Sequence, residues 1–304
     1  MAPAGSPRPL PPLSSNGVAL SMAPERLAAL VPTDPGLPLE ELRARYRADG
    51  YLWLRGVLPR DAVLGFRRRY FAGLAGCGLL RPGLDPGLGL YAGSGEDGPA
   101  VGRRLVEIVR WAAYESFCLA PPLVDFYERF LGGPVFLHKR KLIRHTKPGD
   151  PHCTGAHYDL VYLRGGTDRL CTSWIPLGDI PVEMGGLCYL EGSDAWGRRL
   201  EAEHAERSAD LAPAERVQAF NRYMAGGWLT RDLATLADDT GLRWLVADYE
   251  AGDMVVHSPY MVHASTMNMD PEGRMRLSTD IRYQLVSDRI DERWQHDWRP
   301  DDGL

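Results

Sequence analysis

His157-Tyr158-Asp159 sets an imidazole and a carboxylate two residues apart. On an extended strand alternate side chains share a face, so both can reach one metal ion while Tyr158 points away. About a hundred residues later, Gly252-Asp253-Met254-Val255-Val256-His257-Ser258-Pro259-Tyr260-Met261-Val262-His263 joins a strand-like run, a Ser-Pro turn and a second histidine. Two histidines and one carboxylate on one triangular face leave the opposite positions open, the arrangement that suits non-haem Fe(II) oxygen chemistry. A His-x-Asp pair alone equally suits a polar strand edge. The ordered series of His157, Asp159 and His263, followed by Arg276-Leu277-Ser278, favours the metal. Two further histidines compete for the third ligand position. His257 reads as packing or support behind the ligands, and His152 as part of the loop that leads into the motif.

Several stretches resemble, in order, the phytanoyl-CoA dioxygenase family of iron(II)- and 2-oxoglutarate-dependent oxygenases. Tyr51-Leu52-Trp53-Leu54-Arg55-Gly56-Val57-Leu58-Pro59 is similar to its opening strand, and Lys147-Pro148-Gly149 to its loop into the metal site. Ser173-Trp174-Ile175-Pro176-Leu177-Gly178-Asp179, Glu183-Met184-Gly185-Gly186-Leu187 and Gly192-Ser193 resemble the middle strands and their turn. His263-Ala264-Ser265 and Asn268 precede Arg276-Leu277-Ser278-Thr279-Asp280-Ile281-Arg282-Tyr283 as in the closing part, so the resemblance spans about residues 38–290. It implies iron ligation by His157, Asp159 and His263, with 2-oxoglutarate and dioxygen as co-substrates. It also implies an arginine after His263 that pairs with the far carboxylate of 2-oxoglutarate, to which a planar guanidinium offers two parallel hydrogen bonds. Arg276 is favoured, with Ser278 on the same strand face; Arg274 and Arg282 are the alternatives. Asp159 stands where halogenating relatives carry a small residue, so the resemblance implies oxygen insertion or desaturation. Where relatives commonly place a histidine after the Gly-Ser turn, this chain has Asp194.

The elements that must position these residues read as a mainly β fold with flanking helices, a double-stranded β-helix or jelly roll of the cupin-like kind. Residues 1–36, rich in Pro, Ala, Ser and Gly, are expected to stay mobile. A single domain follows over residues 37–296, with a short tail at 297–304. Its first helix starts after Pro38 and stops at Gly50; a second runs from about Asp61 to Gly73. Arg81–Gly98 reads as a long loop suited to a lid, and a helical region over about Val101–Phe130 is broken at Pro121-Pro122. Strands begin at Val135. Residues 197–246 read as a helical insert, with helices near Ala214–Met224 and Thr230–Asp238; it either covers the site or forms an outer packing layer or a dimer contact. Tyr158, Tyr162, Trp174 and Trp228 are candidate pocket aromatics.

His138-Lys139-Arg140-Lys141-Leu142-Ile143-Arg144-His145-Thr146-Lys147 concentrates positive charge before the metal motif. Alternation sends His138, Arg140, Leu142 and Arg144 to one side, and Lys139, Lys141, Ile143 and His145 to the other. One set either faces the cavity and meets an anion or is solvated. A net charge of −5 speaks against nucleic acid as the main partner. Five cysteines without a Cys-x-x-Cys pair signal neither a disulfide framework nor a zinc ribbon, and neither a membrane span nor a signal peptide is evident. The expectation is a cytoplasmic enzyme that hydroxylates, or otherwise oxidises an unactivated C–H group of, a small-molecule metabolite in natural-product biosynthesis. An acyl-CoA hydroxylase and a metal-binding jelly roll without oxygenase activity are the rival readings.

Overall fold

The computed structural model describes residues 10–212, 215–216 and 227–300. Contrary to the expected mobility of residues 1–36, residues 10–36 are packed. β1 (Ser14–Ser15) and β2 (Val18–Ala19) form a hairpin around Asn16-Gly17. Both turn residues have positive φ, 50° and 83°, the conformation that a tight two-residue hairpin requires and that Asn-Gly adopts readily. β3 (Leu27–Ala29) and β4 (Pro32–Thr33) then join the two main sheets, and Leu13, Leu20, Leu27 and Leu30 are buried.

α1 (Leu39–Asp49) is closed by Gly50 in the left-handed conformation and leads into β5 (Tyr51–Leu54). α2 (Arg60–Gly73) follows, then α3 (Gly98–Ile108), α4 (Ala112–Cys118) and α5 (Pro121–Leu131). Pro121-Pro122 begins α5 rather than breaking a longer helix, since a first-turn proline lacks only an N–H that would be unbonded anyway. The loop between α2 and α3 is pinned along its length: Tyr91 N donates to Gly273 O, and Glu96 pairs with Lys147 at 2.6 Å.

The β region consists of β6 (Val135–Leu137), β7 (Leu142–Thr146), a single turn α6 (Leu160–Leu163), β8 (Cys171–Pro176), β9 (Leu187–Leu190), α7 (Ser193–Arg207), α8 (Leu233–Thr240), β10 (Trp244–Val246), β11 (Met254–His257), β12 (His263–Ser265) and β13 (Arg276–Leu285). The major sheet has the order β4-β5-β11-β8-β13-β6, with β7 also paired to β13; the minor sheet is β12-β9-β10-β3. The expected insert is therefore not separate from the barrel: its end, β10, is a central strand of the minor sheet. Of its two expected helices, the second is α8, and the one over Ala214–Met224 falls largely outside the described residues.

Period-two alternation divides the core into layers. Tyr51, Trp53, Trp174, Leu187, Tyr189, Leu245 and Val255 meet between the sheets. Leu52, Leu54, Ile175, Val256, Leu277 and Ile281 face the helices α1 to α5. Cys188, Leu190, Trp244 and Val246 face α6, α8 and the N-terminal leucines. β13 departs from this: its inward residues are Arg276, Ser278, Asp280, Arg282 and Gln284, while Leu277, Ile281 and Tyr283 join the outer core. A polar row facing inward marks where the sandwich opens into a site.

Candidate active site

His157 and His263 are brought face to face by a bridge in which each backbone N–H donates to the other's carbonyl, at 3.1 and 2.9 Å. The chain does not continue as a strand to Asp159, as the alternation argument assumed. Asp159 turns into the right-handed helical region and starts α6. The imidazole and the carboxylate converge nonetheless, and Tyr158 points away, donating to Glu201 at 2.7 Å. Asp159 Oδ1 lies 3.9 Å from His157 Nε2 and 3.8 Å from His263 Nε2. The three side chains are buried and offer ligand atoms within 4.8 Å of one another.

Each side chain has its other polar atom occupied, which orients the one left over. His157 Nδ1 is 2.9 Å from Gly155 O, and His263 Nδ1 is 2.9 Å from Met261 O, so both Nε2 atoms face the common point. Thr172 Oγ1 and Arg282 Nη2, the latter at 3.0 Å, donate to Asp159 Oδ2, whereas the buried Oδ1 has no protein partner. A carboxylate oxygen without a protein partner, converging with two imidazole nitrogens, fits a divalent cation. Burial lowers the pKa of both histidines, His263 well below its usual value with His157 and His257 adding to the effect, so both are neutral as ligands must be. Burial pushes the Asp159 carboxyl up, but Arg282, His257 and His263 outweigh it and hold the group well below the usual carboxylate range.

The competing histidines are placed elsewhere. The His152 side chain is 86% exposed and pairs with Asp150. His257 is buried behind the trio, with Nδ1 3.1 Å from the Tyr189 hydroxyl and Nε2 3.5 Å from Asp159 Oδ2. The three arginines separate as clearly. Arg274 is tied to Asp270 at 2.6 Å. Arg282 clamps Asp159. Arg276 is buried and donates through Nη1 to Gly185 O; its Nε and the neighbouring Ser278 Oγ have no partner. Burial draws the Arg276 guanidinium down to about 10, leaving it charged at neutral pH. Arg276 and Ser278 line a small cavity of about 30 Å³ whose walls include His157, Asp159 and His263.

A larger cavity of about 260 Å³ shares His157, Asp159 and Arg282 with the small one, and Tyr162, Trp228, Trp294 and Trp298 supply its aromatic wall. Tyr162 and Trp228 were expected there; Trp174 lines the small cavity instead, and Tyr158 neither. Of the basic run, Arg140, Leu142 and Arg144 face this space, whereas His145 turns outward to Tyr70, 2.6 Å away, and Lys141 to the Tyr114 ring. Sequence reasoning missed Thr172, Trp294 and Trp298. Thr172 could have been sought as a hydroxyl on a strand beside the motif, but the tryptophans come from the C-terminal segment, which carries no local signal. Asp194, in place of the relatives' histidine, bonds Ser258 and Arg198 and so ties α7 to the turn before His263.

Two imidazoles and a carboxylate set between the sheets of a double-stranded β-helix, with an open cavity before them, define the class of non-haem iron oxygenases. The chain belongs to the phytanoyl-CoA dioxygenase (PhyH) family, which matches residues 46–276. It is accordingly an oxidoreductase of the iron- and 2-oxoglutarate-dependent kind. Two 1-deoxypentalenic acid 11-beta-hydroxylases are similar in sequence. The one from Streptomyces exfoliatus is 28% identical over 255 residues, and the one from Streptomyces arenae 29% over 256; each alignment covers 82% of both chains. Among solved structures, the non-haem alpha-ketoglutarate-dependent carbocyclase SnoK from nogalamycin biosynthesis superposes with a TM-score of 0.54 at 23% identity, covering 86% of this chain and 89% of its own. The epimerase SnoN, in complex with Fe3+, alpha-ketoglutarate and nogalamycin RO, gives 0.53 at 20%, covering 88% and 87%. These structures share the fold.

Proposed function

We propose that His157, Asp159 and His263 hold one Fe(II), that Arg276 with Ser278 holds the far carboxylate of 2-oxoglutarate, and that the enzyme hydroxylates an unactivated C–H group of a small metabolite in natural-product biosynthesis. One observation carries this reading: three converging ligand atoms, of which Asp159 Oδ1 has no protein partner, line the same cavity as Arg276 and Ser278, whose Nε and Oγ also have none. A buried guanidinium without a carboxylate is costly unless a ligand completes it. A jelly roll with no need of a dicarboxylate would have no use for it.

When bound, the iron supplies dioxygen activation coupled to oxidative decarboxylation of 2-oxoglutarate. The chain's own part is placement. Gly155 O and Met261 O fix the two imidazoles, and Thr172 and Arg282 fix the carboxylate so that only Oδ1 is offered. Arg276 sets the direction of the co-substrate, and the aromatic wall excludes water while holding a C–H group before the metal. A cavity of about 260 Å³ favours a compact substrate over the acyl-CoA alternative. The relatives named as hydroxylases point the same way. All five cysteines are free and buried, in keeping with a cytoplasmic enzyme, and among the described residues no helix is long and apolar enough to cross a membrane. The net charge of −5 suits a small-molecule partner rather than nucleic acid.

The test is anaerobic titration of the Fe(II)-loaded protein with 2-oxoglutarate, following the weak visible charge-transfer band of the chelate. Wild type should develop the band, and Arg276→Ala should need at least about tenfold more 2-oxoglutarate to do so. No band in wild type would remove the oxygenase reading and promote the non-oxygenase jelly roll.

A further inference from the structure

The small chamber before the metal ligands has two ways out. On one side lies the cavity of about 260 Å³ with its aromatic wall. On the other lies a third cavity, of about 320 Å³, which has no part in the function proposed above. Leu142, Arg144 and Thr154 line the chamber and both outer cavities, so they form the ridge where the two ways divide, and Trp298 stands between the outer two. The remaining groups are segregated. His157 and Asp159 line the second cavity but not the third, whereas Arg276 lines the third but not the second.

The third cavity is built of fixed parts. Thr154 and Ser265 are tied together, Thr154 N donating to Ser265 Oγ at 2.9 Å and Ser265 N to Thr154 O at 3.1 Å. One wall is the side of α3 that presents Val101 and Leu105, one helical turn apart. That helix is pinned just before its start by the pair of Glu96 with Lys147. The outer end reaches His152, whose side chain is exposed. A lined path thus leads from solvent to Arg276 without passing the metal ligands.

We infer that the third cavity is a port for small dicarboxylates: 2-oxoglutarate enters and succinate leaves past Val101 and Leu105, while the second cavity takes the organic substrate alone. This rests on the function proposed above and adds a passage to it. A dicarboxylate whose far end is held by Arg276 has that end at the third cavity, so its withdrawal there crosses neither the metal ligands nor the aromatic wall. Occupation of the second cavity then leaves co-substrate exchange open, and the two ligands bind in either order.

The port is tested by narrowing it. Val101→Trp and Leu105→Trp place a larger side chain at half-buried positions that border open space. Each Fe(II)-loaded protein is mixed anaerobically with 2-oxoglutarate in a stopped-flow instrument, and the charge-transfer band gives the association and dissociation rates; an equilibrium titration gives Kd. A constriction raises the barrier without changing either end state, so both rates should fall together by about tenfold or more while Kd stays within about twofold. The amplitude of the band at saturation reports that the site is intact in each variant. Wild-type rates in both variants would mean that 2-oxoglutarate uses the second cavity, and would overturn the port. A raised Kd at an unchanged association rate, or loss of the band in both variants, would make α3 part of the co-substrate's binding pocket instead, and would overturn it as well. No band in wild type would remove the 2-oxoglutarate reading and the port with it, an outcome distinct from a normal band with unchanged rates.

Discussion

At the scale of single residues, the site depends on which atoms are already satisfied. Asp159 has two oxygens of opposite fates: Oδ2 is held by Thr172 and Arg282, and Oδ1 is left over. The clamp has a measurable value, since partners of metal ligands commonly contribute 10- to 100-fold in affinity. Arg282→Lys keeps the charge but not the planar fork, and it should weaken Fe(II) binding by about tenfold or more in a chelator competition. Wild-type affinity in that variant would refute the clamp. The trio itself was legible, because His-x-Asp and a distant histidine after a turn are distinctive residue types in a distinctive order. Arg276 was separable from Arg274 only by weighing turn length, and the structure separates them by what each already binds: Asp270 for one, no carboxylate for the other.

At the scale of elements, alternation worked where strands are long and failed where they are interrupted. β13 displays it fully, with Arg276, Ser278 and Arg282 inward and Leu277, Ile281 and Tyr283 outward. At Asp159 it did not apply, because the chain leaves extended geometry after one bridge. The N-terminal segment was misjudged on composition. Asn16-Gly17 is a strong local hairpin signal, but the pairing of β3 with β10 joins residues more than two hundred positions apart and leaves no local trace. Leu13, Leu20, Leu27 and Leu30 are 3–6% exposed, and burial of each contributes roughly 1.5–3 kcal/mol, together comparable to the net stability of a domain. Removing residues 1–36 should therefore abolish the cooperative thermal transition. A melt within a few degrees of wild type would show that these strands are dispensable.

At the scale of the whole molecule, buried histidines couple stability to pH. Burial lowers His138 to about 4, with its hydrogen bond to Gln284 acting the other way, and His145 to about 4 as well. Between about 6.5 and 4 the unfolded chain binds protons that the folded chain does not. Their contribution is thus complete above pH 6.5 and is lost as pH falls toward 4. For His138 the loss at pH 5 is roughly 2 kcal/mol. Urea titrations at pH 7 and pH 5 should show His138→Gln losing about that much less than wild type between the two; equal losses would argue that His138 is protonated in the fold.

By itself the sequence determined the jelly-roll class, the order of its ligand-bearing segments and the three residues that meet. These follow from residue type, spacing and period-two patterning, all of which are local. Only the tertiary structure decided that Thr172 and Arg282 hold Asp159, that Arg140 and Arg144 rather than Lys139 and Lys141 face the cavity, and that Trp294 and Trp298 close it. Those side chains come from strands and a C-terminal segment that meet only when the sheets close. Which face is inside is set by packing across the whole sandwich, and no stretch of sequence contains it alone.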